Sequence, residues 1–163
     1  MKKWIAILII VLMASFTSQS MALDIGIGAG TGYMLQKSEN AAFSYNGTFD
    51  IPIVTKTDSS YAIYTYVDYL YADRENDDET ITEFSVLRTM FMYERNIYKT
   101  LNLGLGTGMW KFIESEGADN EYPALRLKIA ACLWGVQGSI TGDIVRVNNA
   151  SDIYHVALNI NPF

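Results

Sequence analysis

Apolar and polar residues alternate with a period of two along most of this chain, and this alternation constrains its fold more than any other feature. Between Asp24 and Leu35 the odd positions are mostly apolar, and the even positions include four glycines: Gly26, Gly28, Gly30 and Gly32. Residues 43–53 continue the pattern, with mostly Phe, Tyr and Ile on one side and Ser, Asn, Thr and Asp on the other. A period of two with one apolar side predicts β-strands.

The same pattern predicts eight strands in all. Their expected bounds are roughly residues 24–35, 43–53, 60–72, 80–93, 98–112, 122–134, 138–147 and 152–163. The connections alternate in character: 36–42, 73–79, 113–121 and 148–151 are polar, whereas 54–59, 94–97 and 135–137 are short. An even number of strands, with longer polar loops at one end and short turns at the other, predicts an all-β, eight-stranded antiparallel up-and-down transmembrane β-barrel.

The first 22 residues have the composition of a secretory signal peptide. Two lysines precede an apolar run over residues 4–16, and small residues at Ser20 and Ala22 mark a cleavage site before Leu23. The apolar run is too short to span a bilayer as a helix. We therefore expect residues 1–22 to be a cleaved signal peptide and residues 23–163 to form the barrel domain of a Gram-negative envelope protein.

Charge and cysteine content exclude two further classes. The chain has 12 Lys and Arg against 18 Asp and Glu, and loss of the two signal-peptide lysines leaves 10 against 18. A net charge of −8 argues against nucleic-acid binding. The single cysteine, Cys132, cannot form an intramolecular disulfide, so the fold is not held by bridges.

With these eight alternating segments, this length and a terminal Phe163, the mature chain resembles the small eight-stranded outer-membrane barrels, the group that contains the OmpA transmembrane domain and the short adhesion and protection barrels. The resemblance implies an outer-membrane monomer that contacts lipid and lipopolysaccharide and is inserted by the barrel-assembly machinery. In that family the final Phe usually shares its face with alternate apolar residues. Here it shares parity with His155, Ala157, Asn159 and Asn161, so the register of the last two residues stays open.

The charged residues within the predicted strands indicate which face points inward. If the apolar parity faces lipid, the lumen receives three acids and three bases: Asp50, Asp68, Asp143, Arg88, Arg126 and Lys128. A Lys or Arg that faces lipid at mid-membrane costs about 2–4 kcal/mol, which favours this assignment. We expect a balanced charge network in a packed, non-conducting lumen, in which Tyr64 and Tyr66 donate hydrogen bonds to the carboxylates. Trp110 and Trp134 share the inward parity and are expected to close the barrel ends.

No motif in the sequence predicts a catalytic residue, a cofactor or a metal site. There is no zinc-spaced Cys/His cluster, and the period-two glycines open no phosphate-binding helix. His155 is the only histidine, and its inward parity favours a hydrogen-bonding role in the lumen over general base catalysis. The lipid A deacylase barrels resemble this chain in length and in their penultimate proline. Their His-x-Ser pair, however, would fall within residues 138–143, which contain no histidine.

The residues near the predicted loops suggest partners at the cell surface. Segments 73–79 and 113–121 are acidic, and their carboxylates could take divalent cations, although their spacing matches no defined calcium loop. Lys111 and Arg146 have outward parity just before a loop. At the outer-leaflet headgroup level they could pair with lipopolysaccharide phosphates, and the alternative is that they merely snorkel to water.

These features predict a non-enzymatic outer-membrane barrel with a packed polar lumen and acidic surface loops, acting in envelope integrity, surface protection or adhesion. One alternative is a lipid A-modifying enzyme of another type. A second is a soluble periplasmic, lipocalin-like barrel that points its apolar parity inward at a ligand and its six charged residues at solvent. Parity alone does not separate the second alternative from the membrane barrel, because it does not say which face is inside.

Overall fold

The computed structural model describes residues 26–37, 39–55, 61–75, 80–98, 100–113, 120–134, 136–147 and 151–162. Its strands are β1 Gly26–Gln36, β2 Ala42–Thr55, β3 Tyr61–Glu75, β4 Ile81–Tyr98, β5 Leu101–Phe112, β6 Glu121–Leu133, β7 Val136–Val145 and β8 Ile153–Pro162. Each strand pairs antiparallel with the next, and β8 pairs with β1, so the sheet closes. The predicted eight-stranded barrel is confirmed. The expected signal peptide, residues 1–22, and Phe163 lie outside the described residues.

No helix within these ranges is long and apolar enough to cross a membrane. The connections after β1, β3, β5 and β7 lie at one end of the barrel, which we name the loop end. The start of β1, the end of β8 and the remaining turns lie at the other end, which we name the terminal end.

The register of the strand pairs determines how the barrel is tilted. One circuit of paired residues that starts at Gly26 passes through Asp50 and Tyr66 and returns to β1 at Gln36, ten residues further along the strand. With ~3.3 Å per residue and ~4.8 Å between strands, this offset inclines the strands by about 40° to the barrel axis. An eight-stranded barrel of this tilt is just wide enough for its own side chains to fill the interior.

The outer wall of the barrel is apolar, and the inner wall carries the charges. On β6 the side chains of Leu125, Leu127 and Ile129 are 53–63% exposed, whereas Arg126 and Lys128 between them are 3% and 4% exposed. The outward positions 125–133 of this strand span about 20 Å of barrel height, close to the ~25 Å apolar band of membrane barrels. This distribution contradicts the soluble, lipocalin-like alternative, which requires the charges on the solvent face.

The lumen is filled at the loop end by buried apolar side chains, which we name the apolar plug. Its members are Met34, Ala42, Leu70, Ala72, Val86, Trp110, Ala124, Val145 and Ile153. Phe84, Phe112, Tyr122 and Val147 are partly buried and pack against this cluster. Trp110 is completely buried and is the largest side chain of the plug, as its inward parity predicts.

Two local expectations are wrong. Trp134 does not close a barrel end, because β6 stops at Leu133 and Trp134 lies in the following turn with φ of 52° and a fully exposed side chain. Residues 94–97 do not form a turn, because β4 continues to Tyr98 and Glu94 pairs with Ala62 on one side and Gly104 on the other. Side chains alternate between the two faces only where the chain is paired in the sheet. Trp134 lies beyond the last paired residue, so its parity does not determine its direction. The extension of β4 turns Glu94 inward.

Candidate functional site: the charged lumen

Four charged residues at the middle of the lumen form a closed ring, which we name the ion quartet: Asp68, Arg88, Arg126 and Asp143. Asp68 and Arg88 are directly paired on β3 and β4, and Arg126 and Asp143 are directly paired on β6 and β7. All four side chains are buried, with 0–3% of their surface exposed. The two pairs approach each other inside the lumen, since only β5 separates β4 from β6 in the barrel wall.

The hydrogen bonds of the quartet join the two pairs. Arg126 binds Asp143 in a bidentate manner, from Nε to Oδ1 at 2.6 Å and from Nη2 to Oδ2 at 2.9 Å. Its Nη1 also donates to Asp68 Oδ2 at 2.6 Å. Arg88 lies 3.3 Å from Asp68 and 3.2 Å from Asp143. Each aspartate therefore touches both arginines, which compensates much of the cost of removing four charges from water.

A second ion pair lies between the quartet and the terminal end. The ammonium of Lys128 donates to Glu94 at 2.9 Å and to the hydroxyl of Tyr66 at 2.6 Å, and that hydroxyl donates in turn to Glu94. Sequence reasoning missed Glu94 because it ended the fourth strand at residue 93. Its parity, shared with Arg88 and Met92, was the signal that could have found it. Among the residues that the structure describes, the lumen therefore holds four acids and three bases instead of the expected three of each.

The remaining predicted lumen acid, Asp50, also lies inside the barrel and is 6% exposed. Its Oδ2 accepts a hydrogen bond from the amide of Asn161 at 2.5 Å. Asp50 takes no part in the quartet. The structure thus places all six predicted lumen residues inside, brings four of them together, and pairs Lys128 with a residue that was not predicted.

His155 and Ser44 form an arrangement that resembles part of a catalytic triad. His155 Nε2 lies 3.0 Å from Ser44 Oγ, and His155 Nδ1 lies 3.6 Å from Asp143 Oδ2. In a serine hydrolase the imidazole Nε2 must accept the serine proton while the acid holds Nδ1–H. The distance between Asp143 and Nδ1 is too long for a hydrogen bond.

The neighbouring arginine sets the opposite tautomer. Arg88 Nη1 lies 3.1 Å from His155 Nδ1, and because a guanidinium has donors only, Nδ1 must accept. The ring is therefore neutral, and Nε2–H donates to Ser44, which is the wrong direction for activating a serine. Trp110 packs edge-on against His155 with ring centroids 5.6 Å apart and covers this site from the loop end. The geometry is that of a structural histidine.

The two cations predicted at the membrane surface lie on the outer wall near the loop end, and each has a carboxylate partner. Lys111 Nζ is 2.9 Å from Glu121, and both side chains are about half exposed, at 48% and 46%. Arg146 Nη1 is 3.4 Å from Asp152, and the arginine side chain is 77% exposed. Any phosphate that binds these cations would have to share them with these carboxylates.

Within the described ranges, no group of three or more His, Cys, Asp or Glu side chains is arranged to hold a metal ion. Most of the acidic segments that could take divalent cations, residues 76–79 and 114–119, lie outside the described residues.

Comparison with known proteins identifies the fold. Neither a protein-family model nor a curated protein matches the sequence. Among solved structures, the N-terminal β-barrel domain of Pseudomonas aeruginosa OprF matches with a TM-score of 0.55 at 7% identity, covering 86% of this chain and 99% of that chain. Neisserial surface protein A matches with a TM-score of 0.54 at 12% identity, covering 85% and 94%. The Yersinia pestis outer membrane protein Ail matches with a TM-score of 0.52 at 8% identity, covering 83% and 98%.

These likenesses, at such low identity, concern the fold. Together with the apolar outer wall and the charged lumen, they define a small eight-stranded β-barrel of the outer-membrane class. The protein therefore has the fold of an outer-membrane β-barrel, with an apolar outer wall.

Proposed function

We propose that the protein is a non-enzymatic outer-membrane barrel that acts through its outer wall and surface loops, in envelope integrity, surface protection or adhesion. The observation that carries this proposal is the filled lumen. Trp110 is fully buried, and the guanidinium of Arg88 lies 5.3 Å from its ring centroid, so the apolar plug rests directly on the ion quartet. A lumen filled at two successive levels leaves the wall and the loops to carry the function.

The reversed hydrogen bond between His155 and Ser44 supports the non-enzymatic part of the proposal. Lipid A extracted from cells with and without the protein should give the same mass spectrum. A mass change in lipid A that disappears in Ser44→Ala or His155→Gln would overturn this part, because it would require the catalysis that the inferred tautomer of His155 disfavours.

A bilayer conductance measurement tests the filled lumen. The purified barrel should give no stable single-channel steps in a planar membrane. The conductance of Trp110→Ala, which lacks the largest side chain of the plug, is compared with that of the unmodified barrel. Leu127→Ala, which shortens an outward side chain, is the matched control. Stable ion channels in the unmodified protein would contradict the proposal.

The acidic loop sequences support a surface role in which the partners of the loops themselves are not polyanions. One solved structure of Ail, 11% identical to this chain, is in complex with a heparin analogue. The loop segments 73–79 and 113–121 of the present chain are acidic and would repel such a ligand. A deletion strain complemented with either the natural chain or one carrying Asp77→Asn, Asp78→Asn and Glu79→Gln separates the roles. Detergent sensitivity of the deletion indicates envelope integrity, and loss of attachment with the neutralised loop indicates adhesion.

We also propose that lipopolysaccharide phosphates contact Lys111 and Arg146. The exposure of both side chains at the loop end supports this contact, and Glu121 and Asp152 would then be competitors for the same cations.

Residues 1–22 are proposed as a cleaved signal peptide, and the barrel-assembly machinery as the partner that inserts the monomeric barrel of residues 23–163.

A further inference from the structure

The described part of the lumen carries one carboxylate more than its cations neutralise. Four acids point inward, namely Asp50, Asp68, Glu94 and Asp143, against three bases, Arg88, Arg126 and Lys128. Asp68 and Asp143 are shared between the two arginines, and Glu94 pairs with Lys128. His155 is neutral in the tautomer that Arg88 imposes. The uncompensated negative charge is therefore at Asp50.

Asp50 has no ion-pair partner among the described residues. Lys128 directs its three N–H groups to other acceptors, namely Glu94, Tyr66 and, at 3.5 Å, Gln137. The carboxylate of Asp50 receives only the Asn161 amide on Oδ2, and its Oδ1 has no hydrogen-bond partner. A buried carboxylate without a compensating charge is strongly disfavoured, so either a proton or a bound cation must neutralise Asp50.

Two more unpartnered oxygens lie beside Asp50. Thr48 Oγ1 and Asn161 Oδ1 have no hydrogen-bond partner, and both residues are 6% exposed. Both oxygens lie against Gly28: a Cβ there would overlap Asn161 Oδ1 and would come within 2.7 Å of Thr48 Oγ1. All three side chains line one cavity that has room for about one ligand the size of a water molecule. Arg88, Arg126 and Lys128 line it too, and each of these cations is already paired with an acid other than Asp50.

We propose that this cavity binds a single Na⁺ ion through Asp50 Oδ1, Thr48 Oγ1 and Asn161 Oδ1. Carboxylate, hydroxyl and carboxamide oxygens are hard ligands that suit hard cations. One positive charge neutralises the lumen, whereas a divalent ion would leave it with an excess positive charge. A water molecule would supply two donors to three oxygens and would leave the charge of Asp50 in place. Gly28 on β1 has no Cβ, which leaves room for the Asn161 carboxamide and the Thr48 hydroxyl to lie against this wall.

The test is the sodium dependence of unfolding for the full mature chain, folded in zwitterionic detergent at pH 8. Unfolding in urea is compared in NaCl and in N-methylglucamine chloride at the same ionic strength, because the organic cation is too large for the cavity. We expect unfolding to be at least about fivefold slower in Na⁺, with a saturable concentration dependence. Sodium NMR relaxation should report the bound ion directly.

The variants separate the site from general salt effects. Asp50→Asn and Thr48→Val should each abolish the sodium dependence of unfolding and the relaxation effect, and Thr48→Val carries the test if Asp50→Asn does not fold. Ser139→Ala, a hydroxyl deletion in the same cavity, should respond to Na⁺ as the natural chain does. Equal unfolding rates in the two salts would overturn the proposal. A rate that depends on pH but not on Na⁺ would also overturn it, because a proton would then neutralise Asp50.

Discussion

Arg126 and Asp143 stand directly opposite each other on β6 and β7 and are joined by two hydrogen bonds of 2.6 and 2.9 Å. Because the same guanidinium also reaches Asp68 on β3, one side chain connects two walls of the barrel. A ring of this kind resists any change in the separation of those walls. The ion quartet therefore acts as a brace across the lumen, beneath the apolar plug.

Replacing the central guanidinium should destabilise the barrel strongly. Arg126→Met keeps most of the side-chain volume but leaves Asp143 with only its 3.2 Å contact to Arg88, so we expect a loss of about 3–5 kcal/mol in the free energy of unfolding. Adding Asp143→Asn should recover part of the loss. Arg146→Met, at an exposed ion pair, is the control and should change stability by about 0.5 kcal/mol or less. Urea unfolding in lipid vesicles measures the stability of all three variants. Equal losses of stability in Arg126→Met and Arg146→Met would show that the ion quartet does not hold the barrel walls together.

Gly108, on the inner face of β5, should not tolerate a methyl group. A Cβ on Gly108 would overlap the backbone carbonyl oxygen of Thr89, which cannot move without disturbing the β4–β5 ladder. Gly108→Ala is therefore expected to cost about 1–3 kcal/mol. At the outward Gly142 nothing lies within 4 Å of the added Cβ, so Gly142→Ala should be close to neutral. Mobility on unheated gels and urea midpoints would measure both, and a neutral Gly108→Ala would show that the strands separate easily.

The tautomer of His155 can be observed directly. Nitrogen NMR of the folded barrel at pH 7 should show a neutral ring protonated at Nε2, because Arg88 donates to Nδ1. Arg88→Met removes the donor to Nδ1, so the nitrogen signals of the His155 ring should change. Arg95→Met, on the outer wall, should leave them unchanged. A proton on Nδ1 in the natural chain would contradict the assignment and would reopen the enzymatic alternative.

The lipopolysaccharide contact predicts opposite effects for the two members of each surface pair. Lys111→Gln combined with Arg146→Gln should lower the amount of lipopolysaccharide that copurifies with the barrel, without altering its folded gel mobility. Glu121→Gln should raise that amount, since it removes the competitor 2.9 Å from Lys111. Arg95→Gln, near the terminal end, is the control. Retention that is unchanged in all variants, measured by mass spectrometry with and without chelator, would leave snorkelling as the sufficient explanation.

Much of the site could be read from the strands themselves. Because side chains alternate between the two faces of a strand, and because Arg126 and Lys128 cannot face lipid, Leu127 had to point outward and its neighbours inward. The same reasoning assigns Asp50 and Asp143 to the lumen. It failed at Glu94 and Trp134, where the question was how far the ladder continues, since a strand ends where its neighbours stop pairing and not at a local signal.

The sequence by itself determined the strand number, the inner and outer faces and the charges that the lumen must hold, since these follow from backbone geometry within a strand and from the cost of charge in lipid. Only the tertiary structure decided which charges meet. Arg126 and Asp68 are 58 residues apart and lie on strands that are not neighbours, so their contact depends on the ten-residue offset accumulated around the closed barrel. That offset is the sum of all eight registers and is set when the sheet closes. The same closure leaves Asp50 without a base among the described lumen residues.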